Sequence, residues 1–219
     1  DMIAKTRQLG LRQLMLSKRS LISTASVLLA ATILPPEATA KRRPQPPAGQ
    51  VYLFRGLADI FSTGLNTLGK QLAAEGIDAQ VLSLPNAASF AKEIAERYRK
   101  SKQARPIILI GHSLGADVTF SIATALQPLK IPVALIISFD PTGKGPVPAN
   151  VRKTINFYTG EGNMWAPVIP APGFRGDLTN INVRQGEAAV KGIGHFNIEK
   201  SPELHARAIK EVKAALRRR

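Results

Sequence analysis

From residue 50 onward, short apolar runs alternate with stretches whose apolar residues recur every three or four positions. The first kind reads as buried strand and the second as amphipathic helix. Val51–Phe54 predicts a first strand. Leu65 to Glu75, with Leu65, Leu68 and Leu72 on one face and Gly76 as the stop, predicts a helix. Ala79–Leu84 predicts a second strand, ended by Pro85. Ser89–Lys102 predicts a helix with Phe90, Ile94 and Tyr98 near one face and Glu93/Arg97 and Glu96/Lys100 as pairs four apart. Pro106–Ile110 is a third strand, and the alanine-rich Leu114–Leu126 a buried helix. Val133–Phe139, Thr154–Tyr158 and Leu178–Val183 are further strands. A last helix starts with Ser201 as its cap and Pro202 at its first position, carrying Leu204, Ala208, Val212 and Leu216 on one stripe. Near-continuous apolar strands separated by helices predict an α/β domain, with a mostly parallel sheet of about six strands covered by helices on both faces.

The first 49 residues have another pattern. A basic stretch leads into Leu21–Leu34, an uncharged run of 14 residues, then Pro35-Pro36 and Ala38-Thr39-Ala40. This order predicts a secretory signal over 1–40, cleaved after Ala40, and an exported, periplasmic or secreted protein. An uncleaved membrane anchor is the alternative, although 14 residues are few for a span, which needs about 20. Residues 41–49 read as a basic, proline-rich linker, and 50–219 as the domain.

Composition narrows the chemistry. The 219-residue chain has no cysteine, which excludes a disulfide scaffold, a cysteine-ligated metal and a thiol nucleophile. Its three histidines, His112, His195 and His205, leave little material for a metal centre. No metal and no organic cofactor are expected. The net charge is +15, and twelve of those charges belong to the body after residue 40. A basic body suits an anionic membrane surface. Aromatics are only 5%, too few for a base-stacking platform, so nucleic acid is not the expected partner.

One short segment carries a specific signal. Gly111-His112-Ser113-Leu114-Gly115 lies between the third strand and the alanine-rich helix. A sharp strand-to-helix turn there needs glycines, and it lifts the Ser113 hydroxyl above the sheet edge at a helix N-terminus. A serine nucleophile needs a base. His112 leaves the turn in another direction, and His205 falls mid-helix on the expected surface. His195, in the glycine-rich loop before the last helix, is the candidate base. Asp140 ends the fourth strand, where strand C-termini face a crevice, and is the candidate acid. Asp117 and then Asp177 are its competitors. The Leu114 N–H and the Leu57 N–H, from the loop after the first strand, are the expected oxyanion donors. Residues 160–177 form a long Gly/Pro-rich loop containing Trp165, a candidate substrate contact.

The segments V-Y-L-F-R-G-L, I-L-I-G-H-S-L-G-A, I-S-F-D-P-T and G-I-G-H-F together resemble the α/β-hydrolase superfamily, in particular its small, lidless members related to thioesterases and lipases. The resemblance spans roughly residues 50–216. It implies a single domain without a cap and an acyl-enzyme mechanism with Ser113, His195 and Asp140. Arg55 replaces the histidine that often precedes the oxyanion-strand glycine, and so becomes a candidate for an anionic substrate group or a partner of Asp59. The implied function is hydrolysis of a carboxylic ester or thioester, from a small molecule or a lipid. An export signal favours envelope esters over cytosolic carrier thioesters. A non-catalytic envelope protein that binds an acylated ligand, and an acyltransferase with the same triad, are the alternatives. Nothing in the sequence fixes the oligomeric state.

Overall fold

A computed structural model describes residues 50–57, 62–101, 105–143, 145–161 and 164–217. The expected signal over 1–40, the linker over 41–49 and the Arg55–Asp59 pairing fall outside the described residues. Six strands form one sheet, every pair parallel: β1 (Gln50–Phe54), β2 (Ala79–Leu82), β3 (Ile107–His112), β4 (Leu135–Phe139), β5 (Lys153–Tyr158) and β6 (Asp177–Asn182). Their order across the sheet is β2-β1-β3-β4-β5-β6. Among the described residues four α-helices cover it: α1 (Gly64–Ala74), α2 (Ala87–Lys100), α3 (Leu114–Leu126) and α4 (Pro202–Arg217).

The side-chain period of two divides each central strand between two cores. Ile108 and Ile110 of β3 pack with Leu53, Leu135 and Ile137 beneath α1 and α4, whose Leu65, Leu68, Leu72, Leu204 and Val212 close that side. Ile107 and Leu109 point the other way, with Tyr52, Phe54 and Ile136, under Phe90 and Ile94 of α2 and Phe120 and Leu126 of α3. Strands buried on both faces show no alternation, which is why these runs read as continuous apolar segments. Among the described residues no insertion forms a cap.

Boundaries move by a few residues, for local reasons. β2 stops at Leu82 rather than Leu84, because β1 ends at Phe54, its register partner. α2 begins at Ala87, two residues before the expected Ser89. Asn86 is its cap, the Asn86 side chain accepting from Ser89 N at 3.0 Å. The Ser201–Pro202 start of α4 is as expected, with Ser201 Oγ accepting from Leu204 N at 3.3 Å.

A polar row crosses the sheet from β4 to β6. Ser138, Asn156 and Asn180 are direct register partners on β4, β5 and β6. Ser138 Oγ donates to Asn156 Oδ1 at 2.8 Å, and Asn156 Nδ2 donates to Asn180 Oδ1 at 2.9 Å. Asn180 then holds Val168 by both backbone groups, at 3.0 Å each. The row pins the long β5–β6 loop to the sheet and seats Val168 in the core. That loop carries Trp165.

Candidate active site

The strand order reverses between β1 and β3, and the loops beyond the C-terminal ends of the strands meet there. Ser113 follows β3 with φ 57° and ψ −128°, a conformation costly for a residue with a Cβ. Two glycines make the turn sterically feasible. A Cβ at Gly111 would stand 2.3 Å from Gly115 O, and one at Gly115 would stand 2.1 Å from Phe54 O. The glycines therefore let the turn close on itself and let α3 press against β1. Asp140 and Trp165 also have positive φ, 45° and 48°, so three of the four described non-glycine residues with positive φ gather here, Lys130 being the fourth.

The structure brings Ser113, His195 and Asp140 together. His195 Nε2 lies 3.1 Å from Ser113 Oγ, and His195 Nδ1 lies 3.3 Å from Asp140 Oδ2. A carboxylate only accepts, so Nδ1 carries the proton, and Nε2 is left to accept from the Ser113 hydroxyl. Asp140 is fully buried and doubly held: Oδ1 accepts from Thr159 N at 2.7 Å, and Oδ2 from Thr159 Oγ1 at 2.9 Å. Thr159 follows β5, the strand beside β4, so the sheet itself aims the carboxylate. The competitors lie elsewhere. Asp117 accepts from Gly143 N at 3.0 Å and from the Thr142 hydroxyl, and the exposed Asp177 begins β6 at the opposite sheet edge.

The N–H of Leu114 is the first of α3, and neither it nor the N–H of Leu57 has an acceptor among the described residues. Gly56, next to Leu57, approaches Ser113 so closely that its own Cβ would be 3.1 Å from that of Ser113. The Trp165 indole stacks on the His195 ring, with centroids 4.1 Å apart and planes within 15°. Phe196 meets the same ring edge-on at 5.2 Å. Arg55 points to the β2 side, where its guanidinium donates to Ser83 Oγ at 3.2 Å.

Two histidines outside this group are buried as well. The expectation of a surface His205 fails: it is 2% exposed, its Nε2 meets Glu199 O at 2.6 Å, and its Nδ1 meets the Gln71 side-chain amide. It falls on the Leu204 and Ala208 side of α4, which faces α1. His112 lies under the site, bonded to Ser62 and to the backbone of the His195 loop. Sequence reasoning missed Ser62, Thr159 and Glu199. Their signal is weak: a single polar residue beside an apolar element.

Burial lowers the pKa of these two histidines and raises that of Glu199. It pushes His112 down to about 4, assisted by the nearby His195. It pushes the Glu199 carboxyl up to about 7, although Lys200 Nζ stands 3.8 Å away and opposes the shift. Each shift of about 2.5 pH units corresponds to about 3 kcal/mol of linkage. As pH rises from 4.5 to 7 the folded protein keeps a proton on Glu199 that the unfolded chain releases, so stability falls. As pH falls from 6.5 to 4 the unfolded chain protonates its His112 and the folded one does not, so stability falls that way too. The two slopes oppose each other in the wild type. Glu199→Gln removes the first. The difference in unfolding free energy between wild type and variant, from urea melts, is expected to change by about 3 kcal/mol between pH 4.5 and 7.

Comparison with known proteins bears on the fold. The thioesterase domain family model matches residues 45–152, a span that holds Ser113 and Asp140 but stops before His195. No curated protein sequence matches the chain significantly. The fold is similar to that of the RedJ thioesterase from the prodiginine biosynthetic pathway in Streptomyces coelicolor. There the TM-score is 0.51 and identity 14%, over 85% of this chain and 98% of that one. It is also similar to the type II thioesterase BorB from the borrelidin biosynthetic cluster. There the TM-score is 0.48 and identity 13%, over 78% and 94% of the two chains. The six-stranded parallel sheet and the G-x-S-x-G turn show the α/β-hydrolase fold, and residues 45–152 match the thioesterase domain family model.

Proposed function

We propose that the chain hydrolyses acyl thioesters or carboxylic esters through a covalent acyl-serine. Ser113 Oγ attacks the acyl carbonyl while His195 Nε2 takes its proton. Asp140 holds the His195 tautomer and stabilises the imidazolium. The Leu57 and Leu114 N–H groups receive the oxyanion of the tetrahedral intermediate. Its collapse expels the thiolate or alkoxide, which leaves with the proton from His195. Water, activated by the same histidine, then attacks the acyl-serine, and the acid departs with Ser113 restored. The unbroken Asp140–His195–Ser113 chain of hydrogen bonds carries this reading. The thioesterase family match supports the thioester half of it.

The substrate reading rests on the rim. Leu57, Met164 and Phe196 are exposed apolar side chains, each next in sequence to a residue of the site: Gly56, Trp165 and His195. Such a rim suits an acyl chain laid along an open surface. Arg55, two residues before Leu57, is proposed to meet an anionic leaving group on the β2 side of the site, and Trp165 to border the acyl side. The leader pattern over 1–40 supports action outside the cytoplasm, and the basic body supports work at an anionic membrane surface. A series of p-nitrophenyl esters and N-acetylcysteamine thioesters from acetyl to octanoyl tests the proposal. The expected result is hydrolysis that disappears in Ser113→Ala. Equal, background-level rates for wild type and variant across both series contradict it.

A further inference from the structure

Beneath the site a second line of hydrogen bonds runs through residues that the chemistry above does not use. Gly56 N donates to Ser62 Oγ at 2.8 Å. Ser62 Oγ meets His112 Nδ1 at 2.8 Å, and His112 Nε2 meets His195 O at 2.9 Å. Ser62 and His112 are both fully buried. The direction of every bond follows from chemistry. The His195 carbonyl only accepts, so His112 Nε2 carries the hydrogen. Burial keeps the ring neutral, so Nδ1 is bare and accepts from the Ser62 hydroxyl. A lone pair of Ser62 Oγ accepts from the Gly56 amide. Every hydrogen in the line has an acceptor.

The line ties three separate segments. Gly56 precedes the Leu57 amide, in the turn after β1. His112 ends β3 and adjoins Ser113 in sequence. His195 sits in the loop before α4, with its ring 4.9 Å from that of His112. The position of the Leu57 N–H and of the imidazole, both relative to Ser113 Oγ, thus passes through one buried imidazole and one hydroxyl. Displacement of a reacting group by about 1 Å costs about 100-fold in rate.

We infer that Ser62 and His112 are positioning residues, holding the Leu57 N–H and the His195 imidazole in register with Ser113 through this buried hydrogen-bonded line. The inference rests on the serine hydrolase reading of Ser113. It differs from a merely structural role in what it predicts. A buried polar pair that only supports the fold affects stability and leaves the turnover of folded protein alone. A positioning pair affects the chemical step.

Two measurements test it. The first is long-range ¹H–¹⁵N NMR on wild-type protein with ¹⁵N-labelled histidine, where three rings give three patterns. His112 is expected to hold the Nε2–H tautomer and to stay neutral down to pH 5. An Nδ1–H tautomer overturns the inference, and this reading does not depend on how any variant folds. The second is turnover of p-nitrophenyl butyrate by Ser62→Ala, with its rate of fluorophosphonate labelling. A fall in kcat of about 10-fold to 100-fold is expected, with KM within about twofold, and a matching fall in labelling rate. A folded Ser62→Ala with wild-type kcat overturns the positioning role and leaves the hydrolase reading intact. A wild-type protein that neither turns over nor labels overturns the hydrolase reading, and the positioning role with it.

Discussion

His195→Ala is expected to lower kcat/KM by about 10,000-fold on any ester or thioester the wild type turns over, about 5.5 kcal/mol of transition-state stabilisation. The reason is local. Among the described residues, Ser113 Oγ has one base within reach, His195 Nε2 at 3.1 Å, and a hydroxyl that keeps its proton is a poor nucleophile at neutral pH. His112, although next in sequence, has both ring nitrogens engaged with Ser62 and with the His195 backbone. It is expected to supply no rescue. Asp140→Asn is expected to lose a similar factor, because an amide nitrogen facing His195 Nδ1 selects the wrong tautomer. The single variants are not additive, since each disables the same step. Steady-state kinetics on the best substrate of the ester and thioester series decides this. A loss of less than tenfold for His195→Ala contradicts the assignment of the base.

The second large effect concerns the turn itself. Gly115→Ala is expected to destabilise the fold by about 3 kcal/mol, lowering Tm by about 10 °C, and to remove most activity from what remains folded. The new Cβ would stand 2.1 Å from Phe54 O and 2.6 Å from Arg55 O, both backbone atoms of β1 and its following turn. No rotamer relieves a clash with backbone. α3 has to move away from β1, and Ser113 at its N-terminus moves with it, away from the Gly56–Leu57 turn. Gly145→Ala is the control, because a Cβ there meets nothing within 4 Å. Thermal melts of the two variants side by side give the comparison, and equal Tm values would show that the turn tolerates a side chain.

Much of this arrangement is legible in the sequence because it depends on local signals. Two glycines flanking Ser113, an aspartate directly after an apolar strand and a histidine in a glycine-rich loop are each readable in place. Their order along a parallel sheet does the rest, since strand C-termini share one edge. What the sequence conceals is what depends on register between distant strands. Ser138, Asn156 and Asn180 look like ordinary polar breaks in apolar runs until the sheet aligns them. Thr159 holds Asp140 only because β5 lies beside β4. His205 reads as surface because its polarity outweighs its position on the helix stripe, and its burial depends on hydrogen-bond partners from Gln71 and Glu199 that sequence spacing does not reveal. The Ser62–His112 line is hidden for the same reason, as it spans 50 residues in sequence.

The most direct test of the central claim is intact-protein and peptide mass spectrometry after reaction with a fluorophosphonate probe. One activated serine predicts a single adduct, mapped to Ser113, formed by wild type and lost in Ser113→Ala. It also predicts adduct formation at least 100-fold slower in His195→Ala. An adduct at another residue, or labelling that proceeds equally in the His195 variant, contradicts the account.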